Sequence, residues 1–210
     1  MKKLIAFSIL TFTLITMTGK DILAQGDDNK KYDVVQLTTK FGDIYIWLYN
    51  ETPKHRDNFL KLAKEGFYNG TTFHRIINDF MIQGGDPNSK DNDPMNDGIG
   101  GPGYTVEAEF RPALTHVYGA VAAARMGDAA NPQKRSSGSQ FYIVQNKKGT
   151  HFLDNNYTVF GQVISGMEFA DKISVQPKDG RDRPLENITM QVKVIGMTKK
   201  ELKDKFNYTF

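Results

Sequence analysis

Cysteine is absent from the 210 residues of the chain. Its absence excludes thiol catalysis, cysteine metal sites and a disulfide framework, so the fold must rest on its apolar core. A strong charge of one sign is also missing, because 27 Lys and Arg residues face 24 Asp and Glu residues, a net charge of +3. Such a balance does not predict a surface that binds nucleic acid. Long apolar runs are lacking as well, since the stretch 4–17 contains Ser and Thr and is shorter than the ~20 residues that span a bilayer.

The first 24 residues have the layout of a secretory signal peptide. Met1-Lys2-Lys3 is a basic start, the apolar stretch 4–17 follows, and Ala24 is a small residue suited to cleavage. Removal of this segment takes away three lysines and one aspartate, which leaves 24 basic and 23 acidic residues and a net charge of +1. We therefore expect an exported protein, periplasmic or secreted. The alternative is an uncleaved segment that anchors the protein in a membrane.

The mature chain is expected to form one folded domain, since its length suits a single core. A polar leader at 25–31 precedes this domain at 32–198, and a charged tail follows at 199–210. Alternating apolar residues predict a hairpin that turns at Gly42. Further strands are predicted at 72–82, 119–124, 140–145, 158–164 and 188–197.

Two helices are predicted between these strands. The first is expected to begin at Pro53, after the cap residue Thr52, and to end at Gly66. The second, shorter helix is expected at 166–173. Many short strands with only two helices favour a mostly-β barrel or sandwich.

Three features suggest other kinds of site but do not predict one. The loop 86–103 is rich in Asp, Asn, Pro and Gly, and a solvated loop is favoured over a dedicated site. The four histidines lack the spacing of metal ligands, so no metal is expected. Ser139 follows a glycine but lies in no nucleophile elbow and has no evident base, which argues against a serine hydrolase.

The most informative segment runs from Phe73 to Asp86, with the sequence FHRIINDFMIQGGD. It sets Arg75 and Gln83 among large apolar residues. A single strand would carry both side chains on one face, but a bend between them is possible, so the spacing alone does not show that the two side chains meet. His74 is expected to face away from Arg75 and to make structural hydrogen bonds. Because the segment has no nucleophile or general base, it predicts a site that binds an apolar group and presents a fixed cation to it.

Three later motifs follow this segment: Gly138-Ser139-Gln140-Phe141-Tyr142-Ile143, Phe152-Leu153-Asp154 and Val159-Phe160-Gly161. With them, the chain resembles the cyclophilin family of peptidyl-prolyl cis-trans isomerases over 32–198. The Gly-rich insert before Tyr104 is similar to the bacterial branch. The resemblance implies a closed eight-stranded antiparallel β-barrel capped by two α-helices.

The resemblance also implies a role for each matching position. Arg75 corresponds to the catalytic arginine, and Gln83 to the glutamine that helps to hold it. The other implied substrate contacts are the pocket walls Phe80, Met81 and Leu153, the polar contact Gln140, and the edge residues Ala124 and Arg125. No metal or cofactor is implied. The implied partners are proline-containing peptides and unfolded exported proteins, and a monomer is expected.

Four positions depart from patterns common in the family. Tyr142 stands where a pocket phenylalanine is usual, and its hydroxyl needs a partner or water. Phe152, Tyr157 and Arg125 stand where eukaryotic members have tryptophan, histidine and asparagine. These changes, above all Phe152, predict weakened affinity for cyclosporin-like ligands. They leave the catalytic arginine in place.

The chemistry implied by the resemblance needs no nucleophile. Rotation about an X–Pro bond breaks amide resonance over a barrier of about 18–20 kcal/mol. In the twisted state the prolyl nitrogen regains a lone pair, and a fixed donor aimed at it stabilises that state more than the planar one. The leading hypothesis is therefore a proline isomerase that acts on exported proteins during folding. The alternative is a chaperone module that binds proline segments without turnover.

Overall fold

The computed structural model describes residues 29–91 and 93–210. The predicted signal peptide and most of the polar leader lie outside the described residues. Within the described ranges, no helix is long and apolar enough to cross a membrane.

The described part of the chain contains ten β-strands and three α-helices. The strands are β1 (Lys31–Thr39), β2 (Gly42–Leu48), β3 (Phe73–Ile77), β4 (Met81–Gly84), β5 (Thr105–Val106), β6 (Ala120–Ala123), β7 (Ser136–Ser137), β8 (Phe141–Val144), β9 (Val159–Ser165) and β10 (Gln191–Thr198). The helices are α1 (Pro53–Lys64), α2 (Met167–Ser174) and α3 (Lys199–Phe206), with short 3-10 helices at Pro87–Lys90 and His151–Leu153.

Eight strands form one antiparallel sheet in the order β10-β1-β2-β9-β6-β8-β4-β3. Its two ends approach each other just before β10: Thr72 forms a bridge with Thr189, and the N–H groups of Phe73 and Met190 donate to the carbonyls of Ile188 and Thr71 at 3.0 and 2.9 Å. Beyond this point the N–H of Ile76 on β3 donates to the carbonyl of Asp182 at 2.8 Å, so the connecting segment, and not β10, covers that edge. The sheet is therefore curled and open, and the closed barrel that the resemblance implied is not confirmed.

The two faces of the sheet carry different apolar clusters. Strand β8 shows the alternation, because Phe141 and Ile143 join the main core while Tyr142 and Val144 join a second cluster. The main core also takes the apolar side chains of α1 and α2, among them Phe59, Leu62 and Ile173. The second cluster lies on the opposite face and forms the floor of the candidate site.

Helix α1 begins at Pro53 as predicted, but its cap is not the predicted one. The side chain of Thr52 makes no capping hydrogen bond. Instead, the N–H groups of Lys54 and His55 donate to the carboxylate of Glu109 at 3.1 and 3.0 Å. A carboxylate from a distant part of the chain therefore accepts hydrogen bonds from N–H groups of the first turn that have no partner within the helix. At the other end Gly66 has a φ of +72°, which only glycine adopts at little cost, and the helix ends there as predicted.

The charged tail is part of the fold and contains a helix that the sequence analysis did not predict. Thr198 and Glu201 form a capping box at the start of α3. Leu202 of this helix is fully buried, and the ring of Phe210 stacks on Trp47 with 4.2 Å between centroids. The folded unit thus extends past residue 198.

Candidate active site

The hairpin of β3 and β4 brings the predicted catalytic pair together. Arg75 and Gln83 lie directly opposite each other in the register of these strands, and Gln83 lies opposite Tyr142 of β8. Tyr142 in turn lies opposite Ala122 of β6. A bend separates β3 from β4, with Asp79 at a φ of +56°. One row across four strands therefore carries the cationic, amide and phenol side chains.

These residues surround a cavity of about 140 Å³. Its lining consists of nine of the eleven predicted site residues, namely Arg75, Phe80, Met81, Gln83, Ala124, Arg125, Tyr142, Leu153 and Tyr157. Six of these nine side chains are apolar or aromatic, and Arg75, Arg125 and Gln83 supply the polar groups. A cavity of this kind suits a small apolar ring.

The other two predicted residues lie beside the cavity. Gln140 lines an adjoining cavity of about 500 Å³ that also takes in Gln83, Ala124 and Arg125. The Phe152 side chain does not line either cavity. It is 73% exposed and stacks on Phe80 with 5.8 Å between ring centroids. Phe152 thus belongs to the outer rim of the site.

The guanidinium of Arg75 is only weakly engaged within the protein. Its side chain is 42% exposed, and its one ionic partner among the described residues is Asp182, at 3.9 Å from Nε. The carboxylate of Asp182 also pairs with Lys178 at 2.8 Å. In the described part of the chain, the side chains of Arg75 and Gln83 share no hydrogen bond, although the two residues are opposite in the sheet. The N–H groups of Arg75 therefore remain accessible to a ligand.

The amide of Gln83 is fixed from another direction. Its Nε2 donates to Oε1 of Gln140 at 3.1 Å, and the Nε2 of Gln140 donates to the carbonyls of Gly98 and Gly100 at 3.0 and 2.8 Å. His74, on the same hairpin, is buried while Arg75 is partly exposed, and the strand pairing shifts register between Phe73 and Arg75. The His74 Nε2 lies 3.4 Å from the Nε2 of Gln83, and its Nδ1 has no partner among the described residues.

The loop 86–103 is held against the site and is not simply solvated as the sequence analysis favoured. Asp86 is fully buried and accepts hydrogen bonds from the N–H groups of Asn88 at 2.8 Å, Gly100 at 3.2 Å and Gly98. A Cβ on Gly100 would lie 2.1 Å from Oδ1 of Asp86, so the backbone approaches this closely only as glycine. The far end of the loop therefore has a fixed shape beside Gln140.

Two of the departures from the family pattern pack on each other. The guanidinium carbon of Arg125 lies 4.5 Å from the centroid of the Tyr157 ring. Its Nε donates to the carbonyl of Asn156 at 2.8 Å, and its side chain is only 5% exposed. A cation over an aromatic face is attracted by the ring. Arg125 and Tyr157 thus form a single wall of the cavity.

A second polar cluster contains the residue types of a serine hydrolase, but its serine is not accessible to a substrate. The imidazole of His55 contacts Glu109 through Nδ1 at 2.7 Å and Ser136 through Nε2 at 2.9 Å. Burial lowers the pKa of His55, although the hydrogen bond to Glu109 opposes this. Ser136 is only 1% exposed, so no substrate reaches its hydroxyl. The predicted absence of serine chemistry at Ser139 remains a prediction, and its Oγ is buried without a partner among the described residues.

Comparison with known proteins identifies the family. Residues 34–194 match the family described as cyclophilin type peptidyl-prolyl cis-trans isomerase/CLD. A protein of Staphylococcus saprophyticus with the provisional name peptidyl-prolyl cis-trans isomerase is 36% identical over 203 residues, which cover 83% of this chain and 96% of that protein. The chain belongs to the cyclophilin family of peptidyl-prolyl cis-trans isomerases.

Other cyclophilins agree with this assignment, and the enzyme class follows from it. A Staphylococcus aureus relative is 35% identical over 187 residues, covering 75% of this chain and 88% of its own. The crystal structure of a Cryptosporidium parvum cyclophilin matches with a TM-score of 0.68 and 29% identity, over 79% of this chain and 98% of that one. A second structure of that protein, in the presence of the dipeptide Ala-Pro, matches with a TM-score of 0.67 and 29% identity, over 77% and 98% of the two chains. This cyclophilin is a peptidyl-prolyl cis-trans isomerase.

The sequence analysis missed three residues that contact the site. Asp182 lies near Arg75, His116 contacts the hydroxyl of Tyr142, and Asp154 contacts the ring of His116. Each is a single polar residue in a loop, far along the chain from its partner. No sequence pattern indicates these contacts. In contrast, the T-x-x-E pattern at 198–201 is typical of a capping box and could have predicted α3.

Proposed function

We propose that Arg75 accelerates X–Pro rotation by stabilising the twisted prolyl amide, without a covalent step. The observation that carries this proposal is the place of Arg75, partly exposed at the edge of the 140 Å³ cavity and weakly paired inside the protein. Apolar walls such as Met81 and Leu153 grip the pyrrolidine ring. A guanidinium stays charged at physiological pH and donates to the nitrogen lone pair that appears only on twisting.

Gln83 acts mainly on the substrate. Its Nε2 is engaged by Gln140, and its Oε1 accepts from no group in the described part of the chain. That oxygen is therefore available to accept from a peptide N–H. The Arg125 and Ala124 edge lies on the boundary of both cavities, so an extended peptide crosses from the proline cavity towards Gln140.

The substrates are proline-containing segments of unfolded exported proteins. Uncatalysed X–Pro isomerisation takes tens to hundreds of seconds and limits folding, so an isomerase in the same compartment speeds maturation. The layout of residues 1–24 supports export. Mass spectrometry of the N-terminus tests whether this segment is cleaved. A start at Gln25 supports cleavage, and an intact Met1 in the membrane fraction supports the membrane anchor instead.

The decisive experiment compares Arg75→Ala with the native enzyme on a proline-containing tetrapeptide. We expect kcat/KM to fall about ten- to a thousandfold, roughly 1.4–4 kcal/mol, because the fixed donor is lost. Arg75→Lys also lowers activity, since lysine lacks the planar fork. Arg181→Ala is the matched control, because Arg181 is an exposed arginine of the segment that faces Arg75.

Two results would contradict the proposal. Near-native turnover by Arg75→Ala, with the fold intact by circular dichroism, would exclude the arginine mechanism. If the native protein suppresses aggregation of a proline-rich client, and Arg75→Ala does so equally well while tetrapeptide turnover is absent, the function is binding and not isomerisation.

A further inference from the structure

A buried chain of polar groups runs behind one wall of the proline cavity. The carboxylate of Asp154 contacts Nδ1 of His116 at 2.6 Å, and Nε2 of His116 contacts the hydroxyl of Tyr142 at 2.9 Å. His116 is 0% exposed and Tyr142 is 4% exposed. Tyr142 also lines the cavity, so the chain ends in a residue of the site.

The direction of each hydrogen bond follows from the groups involved. A carboxylate only accepts, so Nδ1 of His116 carries the proton. Burial lowers the pKa of His116, against the opposing effect of Asp154, so the ring is neutral and its Nε2 accepts from the Tyr142 hydroxyl. The same Oδ1 of Asp154 also accepts from the backbone N–H of His116 at 2.8 Å, so this carboxylate holds both the backbone and the ring of His116.

The chain determines what Tyr142 presents to the cavity. Its hydroxyl is turned towards His116, and the two rings are nearly parallel, with 14° between their planes. Only the ring of Tyr142 is then left to face the substrate. A phenol hydroxyl without a buried partner would turn to the nearest water, and that water would enter the cavity.

Asp154 also lies next to a second residue of the cavity wall. Asp154 directly follows Leu153, which lines the cavity. The N–H of Thr150, at the start of the same turn, donates to the carbonyl of His116 at 2.8 Å. One buried histidine therefore joins the turn that carries Leu153 to the strand that carries Tyr142.

We propose that His116 and Asp154 are positioning residues that hold the hydroxyl of Tyr142 out of the proline cavity and keep that wall apolar. This inference rests on the proposed function, because it assigns the cavity to the pyrrolidine ring. His116 and Asp154 do not touch the substrate. They act through Tyr142.

The test is a suppression experiment with His116→Leu, Tyr142→Phe and the double variant. His116→Leu strands the hydroxyl, and we expect KM for a proline tetrapeptide to rise about fivefold, the scale of one buried hydrogen bond of about 1 kcal/mol, with kcat within about twofold. Tyr142→Phe supplies the reference KM of a wall without a hydroxyl. The double variant has a KM within about twofold of that of Tyr142→Phe, because no hydroxyl is left to strand.

The matched control is His55→Leu, which removes the other buried imidazole held between a carboxylate and a hydroxyl. It is expected to lower stability to a similar degree and to leave KM unchanged, measured at a temperature where each variant is folded. If His116→Leu does not fold, Asp154→Ala replaces it, since it removes the group that fixes the imidazole, and Tyr142→Phe is again expected to suppress the rise in KM.

A native KM in folded His116→Leu, or a double variant as impaired as the single, would overturn the inference. Failure of the proposed function looks different. In that case the native protein has no turnover, or Arg75→Ala retains it, whatever the histidine variants do.

Discussion

Acidification is expected to destabilise this cyclophilin through its buried histidines. His55, His74 and His116 are 3%, 6% and 0% exposed. Burial lowers the pKa of each of them below the ordinary value of 6.5. Neighbouring carboxylates oppose this effect at His55 and His116, and at His74 Asp86 and Asp97 oppose it while Arg75 and Arg183 add to it.

The sign of the effect follows from the direction of these pKa shifts. Above pH 6.5 the histidines are neutral in both the folded and the unfolded chain, and their contribution to stability is complete. As the pH falls below 6.5, the unfolded chain binds protons that the folded protein does not, so the free energy of unfolding decreases until the folded pKa is reached. Each histidine contributes a slope of at most about 1.4 kcal/mol per pH unit, and three together at most about 4 kcal/mol per pH unit.

The carboxylates act in a lower window. Burial raises the pKa of Glu109 and of Asp154, but the hydrogen bonds from His55 and His116 outweigh it, so both carboxyls have pKa values below their ordinary 4.5 and 3.8. Their stabilisation is lost only as the pH falls from those values through the folded pKa. A fall in stability between pH 6.5 and 5 therefore reports the histidines.

Urea unfolding at pH 8, 7, 6 and 5 measures the effect. We expect a constant free energy of unfolding at the two higher pH values and a decrease at the two lower ones. His74→Gln should make that decrease shallower, because it removes one titrating group. A free energy of unfolding that is flat from pH 7 to pH 5 would refute the reasoning.

Two further predictions concern the loop 86–103 and α3. Asp86→Ala should lower the free energy of unfolding by about 2–4 kcal/mol, because three backbone N–H groups lose a buried acceptor. It should also raise KM, because the carbonyls that hold Gln140 are no longer fixed. A native urea midpoint and a native KM would show that the loop needs no such anchor. Thr198→Ala should lower the free energy of unfolding by about 1 kcal/mol because it removes the cap of α3, and hydrogen exchange in that helix should become faster. The kcat/KM should stay native, because α3 contributes no residue to either cavity. Unchanged hydrogen exchange in α3 would contradict this prediction.

Local sequence patterns predicted most of the fold. Alternation located the strands to within a few residues, Pro53 marked the start of α1, and Gly66 marked its end. These features depend on neighbouring residues, and the physics that produces them acts over a few positions. The motif from Phe73 to Asp86 likewise placed Arg75 and Gln83 in one site, although a hairpin and not a single strand brings them together.

Contacts between distant segments were not predictable in the same way. Glu109 caps α1 from 54 positions along the chain, and Asp154 reaches His116 from 38 positions away. No periodicity relates such residues, because the fold alone decides which loops meet. The capping failure at Thr52 has the same origin, since the carboxylate of Glu109 already takes the N–H groups that a threonine cap would bind.

The polar groups that two of the departures from the family pattern introduce are each engaged by a neighbouring side chain. The hydroxyl that Tyr142 adds is bound by His116 behind the wall, and the charge that Arg125 adds lies over the ring of Tyr157 beside it. An unmatched hydroxyl or guanidinium in a small apolar cavity would draw in water and compete with the pyrrolidine ring. Since both polar groups are engaged within the protein, Arg75 is the more accessible of the two cations in the cavity wall, with 42% of its side chain exposed against 5% for Arg125. Cavity chemistry of this kind depends on the partners behind its walls as much as on the residues that line it.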